Sequence, residues 1–316
     1  MVVSAVGYGS GSILAAPIYA TGVDWLTLVY WRFLIGAALG WIWVLMSAPR
    51  RATVRRLPRR QLGVALGLGA MFTGNAGTYY AGLQTVPAAL AGVLVYTYPV
   101  IVAVLSLRFA TRLQGRRPWV ALGLAIAGTV LALGGMDVRA AAPMPGLLLI
   151  WASAAIYSAW IILSARLSGE RPDRLGSDAP AAATPVGDAA VTTAVMMTAT
   201  AAVFALGSLV SGHSLDPRAI PGAAWPLLVG VGFVASFLAI QTFYAGTRRI
   251  GAARAALLST VEPVVIVALA WLVLDQRLAP IQLAGAALII VGVVIAQTAP
   301  RPRGAPEPAT PLEAEL

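Results

Sequence analysis

A helix that crosses a bilayer must supply about 20 consecutive, mostly apolar residues, because at 1.5 Å rise per residue a shorter helix does not span the hydrocarbon core. This chain meets that requirement ten times. The runs fall at about residues 2–20, 25–47, 61–82, 86–107, 119–136, 146–166, 189–212, 223–247, 251–274 and 279–298. Alternation at period 2, the mark of a membrane β-barrel, is absent. The runs explain why 59% of the residues are hydrophobic and only 11% charged, where a water-soluble domain carries about 25% charged residues. The chain reads as an all-α integral membrane protein. The first run is read as a retained span, because no arginine precedes Arg32 and no small-residue cleavage site follows the run.

The positive charge consists of arginine alone: the 22 basic residues include no lysine. The arginines cluster in short loops between the apolar runs, as in the cytoplasmic loops of membrane proteins, and not on an aromatic-interleaved basic helix of the nucleic-acid-binding kind. With ten spans and both termini cytoplasmic, all arginines fall inside except Arg139, Arg218 and Arg277, which fall outside, and Arg32, which lies within the second span. Dropping the Ala- and Thr-rich seventh run would move Arg248, Arg249 and Arg254 outside, against the positive-inside bias. No cysteine is present and His213 is the single histidine. Thiolate metal sites, disulfides and cysteine nucleophiles are thereby excluded, and no metal or cofactor is expected.

Residues 167–188, rich in Pro, Ala, Gly and Asp, read as a cytoplasmic linker, and residues 299–316, with Glu307, Glu313 and Glu315, as a disordered cytoplasmic tail. The linker separates residues 1–166 from residues 189–298, and the second repeat begins at about residue 146. The halves correspond at an offset of 164. YYAG (79–82) matches FYAG (243–246), Ala88, Ala89 and Ala91 match Ala252, Ala253 and Ala255, Pro99-Val100 matches Pro263-Val264, and Gly128 matches Gly292. Five spans per repeat is an odd number, so the two copies enter the membrane from opposite sides. The expectation is two inverted five-helix repeats around a central cavity, the plan of many secondary transporters.

The segments GYGSGSILA (7–15), LVYWRFLIGAALG (28–40), AALAGVLVYTYPVIVAVL (88–105), RRIGAARAALLSTVEPVVIVALAWLVL (248–274) and LAGAALIIVGVVIA (283–296) resemble the EamA group of the drug/metabolite transporter superfamily. The resemblance covers about residues 5–298. It implies a ten-helix bundle with a cavity lined mainly by spans 1, 3, 4, 6, 8 and 9, with spans 5 and 10 peripheral. It also implies export of small metabolites, commonly amino acids or related compounds, across the bacterial inner membrane. The chain departs from the family's Leu-Gly-Glu-Arg-Leu pattern at FATRL (109–113) and LDQRL (274–278), where Thr111 and Gln276 replace the acids. No role of those acids carries over.

Ionisable residues within spans are costly and mark candidate transport sites. Glu262, in the ninth span, is a candidate for carrying a proton or pairing with a substrate amine; the plain alternative is that it bonds backbone freed by Pro263. Arg32 lies roughly 12 Å deep in the second span. It could pair with Glu262, hold a substrate carboxylate, or snorkel to the outer headgroups. Further candidates lie on helix stripes: Asn75 with Tyr79, Ser153 with Tyr157 and Trp160, Phe237 with Gln241 and Tyr244, and Tyr8, Ser12, Tyr96 and Tyr98. Each aromatic could equally be belt or packing, whereas the amides Asn75 and Gln241 must find partners in lipid. Pro99 and Pro263 are hinge candidates. The pairs Gly7/Gly11, Gly36/Gly40 and Gly63/Gly67 have GxxxG spacing, for packing within the chain or for a dimer face, so monomer and homodimer both stay open.

The leading functional expectation is a secondary transporter of a small-molecule substrate, an exporter, with the proton as candidate coupling ion. The alternative within the superfamily is a nucleotide-sugar or sugar-phosphate exchanger, for which a single intramembrane cation is a poor match. A channel lacks its polar stripe. A membrane enzyme lacks clustered acids or metal ligands, and a non-transporting scaffold is the reading from outside the transport class.

Overall fold

The computed structural model describes residues 2–98, 101, 120, 123–124, 126–128, 130–131, 142–167, 188–243 and 262–297. Among them every regular element is helical, with no strand. The helices are α1 (Val2–Ala20), α2 (Trp25–Leu45), α3 (Ala48–Arg55), α4 (Arg59–Leu83), α5 (Ala88–Val95), α6 (Met144–Leu167) and α7 (Ala189–Val210). Then come α8 (Trp225–Val231), which continues into a π-helical segment (Gly232–Leu238), α9 (Glu262–Leu274) and α10 (Pro280–Gln297). Four stretches are long and apolar enough to cross a membrane: Trp25–Leu45, Met144–Ile161, Ala189–Val210 and Gly222–Phe243. The expected linker apart from residues 167 and 188, the tail, Pro99 and Tyr244 lie outside the described residues, as does much of the fifth span.

Local chemistry sets the helix ends. Asp24 caps α2, accepting from Leu26 N, Thr27 N and the Thr27 hydroxyl. α7 starts on Asp188, which accepts from Ala190 N, and stops in a Schellman turn at Gly212 (φ 73°), with His213 N donating to Ser208 O and Gly212 N to Leu209 O. α3 was not anticipated: the stretch after the second span, expected as a loop, forms a two-turn helix whose Val54 packs with Leu57 against Val44, Val191 and Ala194.

Small residues let the helices approach, which replaces the hydrophobic driving force that lipid removes. A Cβ on Gly36 would lie 2.6 Å from the Ser236 Cβ, and Gly40 faces Met197 and Ala194, so α2 lies against both the π segment and α7. Gly69 rests on the Met196 carbonyl where α4 crosses α7, and Gly82 rests on Ile150 where α4 crosses α6. Gly9 and Gly92 both meet Ile266, so α1 and α5 flank α9. Gly7, Gly11, Gly36 and Gly40 are therefore internal packing positions. Among the described residues, Gly63 and Gly67 have nothing within 4 Å of an added Cβ. At the side of the bundle, Ala286 and Ile289 of α10 pack on Val93 and Tyr96, and Gly128 of the fifth span faces Gly285 and Ile289.

Candidate functional site

Between these helices lies a cavity of about 150 Å³. The sequence candidates Tyr8, Arg32, Asn75, Tyr79, Tyr96, Tyr98, Ser153, Tyr157, Trp160 and Glu262 all line it.

Arg32 is 6% exposed. Its Nε donates to Ser236 Oγ (2.9 Å) and an Nη donates to the Ala235 carbonyl (3.2 Å). The guanidinium also lies 4.8 Å from the Tyr80 ring centroid and 5.0 Å from that of Phe33, at cation–π distance. The π segment makes this arrangement possible. There Ala239 N reaches back to Val234 O, an i→i−5 bond, and the Ala235 carbonyl accepts from the arginine. Arg32 is thus held inward by the π segment.

Glu262, the first described residue of α9, accepts from the Tyr96 hydroxyl at 3.2 Å. Tyr96 directly follows the last residue of α5, where the fourth span departs from regular helix at Tyr96 and Thr97. Among the described residues no ion pair joins Arg32 and Glu262, and neither has an opposite charge within 4 Å. An aromatic arc connects their surroundings. Tyr96 contacts Tyr98 (5.4 Å between centroids), Tyr98 contacts Tyr157 (4.8 Å), and Tyr157 stacks on Trp160 (5.8 Å). Phe72 then meets Trp160 (5.4 Å) and Phe33 (6.0 Å), beside Arg32.

The amides turn out to bind neighbouring helices. Asn75 Nδ2 donates to Ser153 Oγ (2.8 Å) and to its carbonyl (3.1 Å), while Ser153 Oγ donates back to Asn75 O (3.0 Å), joining α4 to α6. Gln241 Nε2 donates to Thr193 Oγ1 (2.9 Å) and does not line the cavity. Phe237 turns away as well and packs on the exposed Phe233; Ile240 and Phe243 take its place on the cavity wall. The π segment is the reason, since each inserted residue rotates a helix face by about 100°. Pro263 lies in α9 directly after Glu262, and the residues before Glu262 lie outside the described ones.

α2 and α7 also contribute lining, where the resemblance implied only spans 1, 3, 4, 6, 8 and 9. α2 supplies Arg32 and Phe33, and α7 supplies Thr193, Met196, Met197 and Thr200. The i, i+3, i+7 spacing of 193, 196 and 200 is a helical stripe visible in the sequence but masked by its weak polarity. Ser4 is a further addition: 1% exposed, its hydroxyl has no hydrogen-bond partner among the described residues, and it lines the cavity. A second hollow, lined by Ser12, Ala16, residues 83–88 and Gln276, lies across Tyr79 and Ser12 from the first. There Gln276, at the position of the missing family acid, accepts from Ala89 N in the first turn of α5.

Comparison with known proteins agrees with this architecture. The chain is 25% identical over 291 residues to the uncharacterized transporter YcbK of Bacillus subtilis (strain 168), covering 90% of this chain and 87% of that one. A solved crystal structure superposes with a TM-score of 0.61 at 23% identity, over 93% of this chain and 96% of its own, a likeness of fold. The model of the EamA-like transporter family matches residues 1–134 and 179–298. With apolar helices long enough to cross a bilayer and a cavity between them, the chain belongs to the EamA-like transporter family and is a membrane transporter of the drug/metabolite type.

Proposed function

We propose that the protein exports a small zwitterionic metabolite, an amino acid or a related compound, across the bacterial inner membrane by alternating access. The observation that carries this reading is a single cavity holding a buried cation, Arg32, and a carboxylate, Glu262, neither neutralised by the other. An unpaired charge away from water costs several kcal/mol. A ligand bearing both a carboxylate and an ammonium offsets both costs at once, with its side chain against the aromatic arc. The unpartnered Ser4 hydroxyl offers a further hydrogen bond. The volume of about 150 Å³ is of the order that accommodates a benzene-sized ligand. That suits a small amino acid.

Glu262 takes a proton and the substrate ammonium in turn, so that proton entry drives substrate exit; the Tyr96 hydroxyl attends whichever is bound. The architecture is ten spans in two inverted repeats with cytoplasmic termini, and the packing supports it. Exchanging each span with the one five places on turns the α4–α6 contact into α8–α1, α4–α7 into α8–α2, and α1–α9 into α6–α5, all of which occur. Tyr98 and Glu262, 164 residues apart, line the same cavity and precede Pro99 and Pro263. Those prolines are the hinges of the exchange.

The test is thermal stabilisation of the purified protein by a panel of amino acids, purines, sugars and cationic drugs. An amino acid at 100 times its Kd stabilises by about 2.7 kcal/mol. The shift should vanish in Arg32→Gln and in Glu262→Gln, and for analogues lacking either the amine or the carboxylate. Equal stabilisation by a phosphorylated sugar, or by an amine without a carboxylate, would overturn the zwitterion reading.

A further inference from the structure

The arginine-rich end of the molecule carries a second feature, which transport does not use. Residues 50–60 contain Arg50, Arg51, Arg55, Arg56, Arg59 and Arg60, and no acidic residue occurs between Asp24 and Asp137. The first two arginines are engaged. Arg50 pairs with Asp188 (3.3 Å) and lies over the Trp43 ring (4.6 Å), and Arg51 donates to the Leu45 carbonyl, which pins α3 against the end of α2. Arg55, Arg56, Arg59 and Arg60 are exposed and, among the described residues, have neither an ion pair nor a side-chain hydrogen bond.

The start of α4 adds a second observation. Pro58 occupies its N-cap position and no side chain caps the first turn. The positive end of the helix dipole lies there and favours an anion. Arg59 and Arg60 sit at the same end, where the dipole repels them unless an anion intervenes. A third observation is the surface that continues from Arg59. Residues 59, 63 and 67 share one helix face. Gly63 and Gly67 have open space beside them, and the exposed Leu62 and Leu66 flank them. A strip of positive charge thus runs into a shallow apolar groove on the outside of the bundle.

We propose that this end of the protein binds one anionic phospholipid of the adjoining leaflet, which the arginine bias marks as the cytoplasmic one. Arg55, Arg56, Arg59, Arg60 and the first turn of α4 hold the phosphate, and one acyl chain lies along Gly63 and Gly67 between Leu62 and Leu66. Each basic residue beside an anionic membrane surface is worth about fivefold in affinity. A second copy of this chain fits the same glycine face poorly, since pairing α4 with itself would bring the unpaired arginines of two copies together.

The experiment equilibrates the purified full-length protein with equal amounts of phosphatidylglycerol and phosphatidylcholine in mild detergent, and counts retained lipids by native mass spectrometry. Wild type should retain phosphatidylglycerol over phosphatidylcholine by at least about fivefold. The Arg59→Gln/Arg60→Gln double variant should lose the preference. Gly67→Leu should lose it too, with charge unchanged and thermal melting preserved. Equal retention of the two lipids, or unaltered preference in Gly67→Leu, would overturn the proposal. Displacement of the lipid by an equal concentration of glycerol 3-phosphate would mark a free-phosphate site instead. A change of oligomeric state in Gly67→Leu without lipid loss would mark a helix-pairing face.

Discussion

Arg32 shows what a buried charge demands of its neighbours. A guanidinium in the second span survives 6% exposure because a serine hydroxyl, a main-chain carbonyl and two aromatic faces share it. Even so, part of its donor fork is left for the cavity, since five N–H groups exceed the bonds made. Its importance was legible in the sequence, because an arginine within an apolar run always calls for an explanation; its partners were not, since Ser236 lies 204 residues away. The glycines divide in the same way. Spacing alone made the three GxxxG pairs equivalent, yet Gly36 touches Ser236 while Gly67 faces open space. Gly36→Leu should therefore cost about 1–3 kcal/mol through overpacking, whereas Gly67→Leu should leave thermal melting in detergent unchanged.

Helix type matters as much as helix position. The apolar run over 223–247 reads as one regular span, and a stripe of Phe237, Gln241 and Tyr244 follows from a 3.6-residue period. The π segment at Gly232–Leu238 breaks that period, sends Phe237 toward Phe233, and brings Ile240 and Phe243 to the cavity. No local residue pattern announces it, because its stabilising partner, Arg32, comes from another helix. Deleting Phe233 should close the π segment to regular α-helix, leaving the downstream face in place while displacing the Ser236 hydroxyl and Ala235 carbonyl that hold Arg32. The expected outcome is a protein that still inserts and melts cooperatively but no longer transports, measured by melting and by uptake into proteoliposomes. α3 makes the converse point. Its arginine-rich residues are poor material for a buried helix, and it is ordered by Val54 and Leu57 on α7 and by the Arg50–Asp188 pair.

At the scale of the whole molecule, the arrangement rests on which loops face which side. The chain has no cysteine, so single cysteines report topology without background. His213→Cys and Arg277→Cys should react with a membrane-impermeant thiol reagent added to intact cells. Ser177→Cys, in the linker, should react only after the membrane is opened. Labelling of all three from outside would remove the inverted-repeat arrangement and, with it, the assignment of Pro99 and Pro263 as matched hinges.

The sequence by itself determined that this chain lives in a bilayer and which polar residues its apolar runs carry, because apolar length and charge placement are properties of the chain read locally. It also carried its family, through two half-copies of one pattern. The tertiary structure decided how those polar residues are used. It placed Asn75 on Ser153 and Gln241 on Thr193 as helix contacts, kept Arg32 and Glu262 apart on a shared cavity, and brought the weakly polar seventh span into the wall. Partners that lie scores of residues apart meet only when helices cross. The crossings are set by small residues and by a π segment whose reason lies on another helix, so no window along the chain contains them.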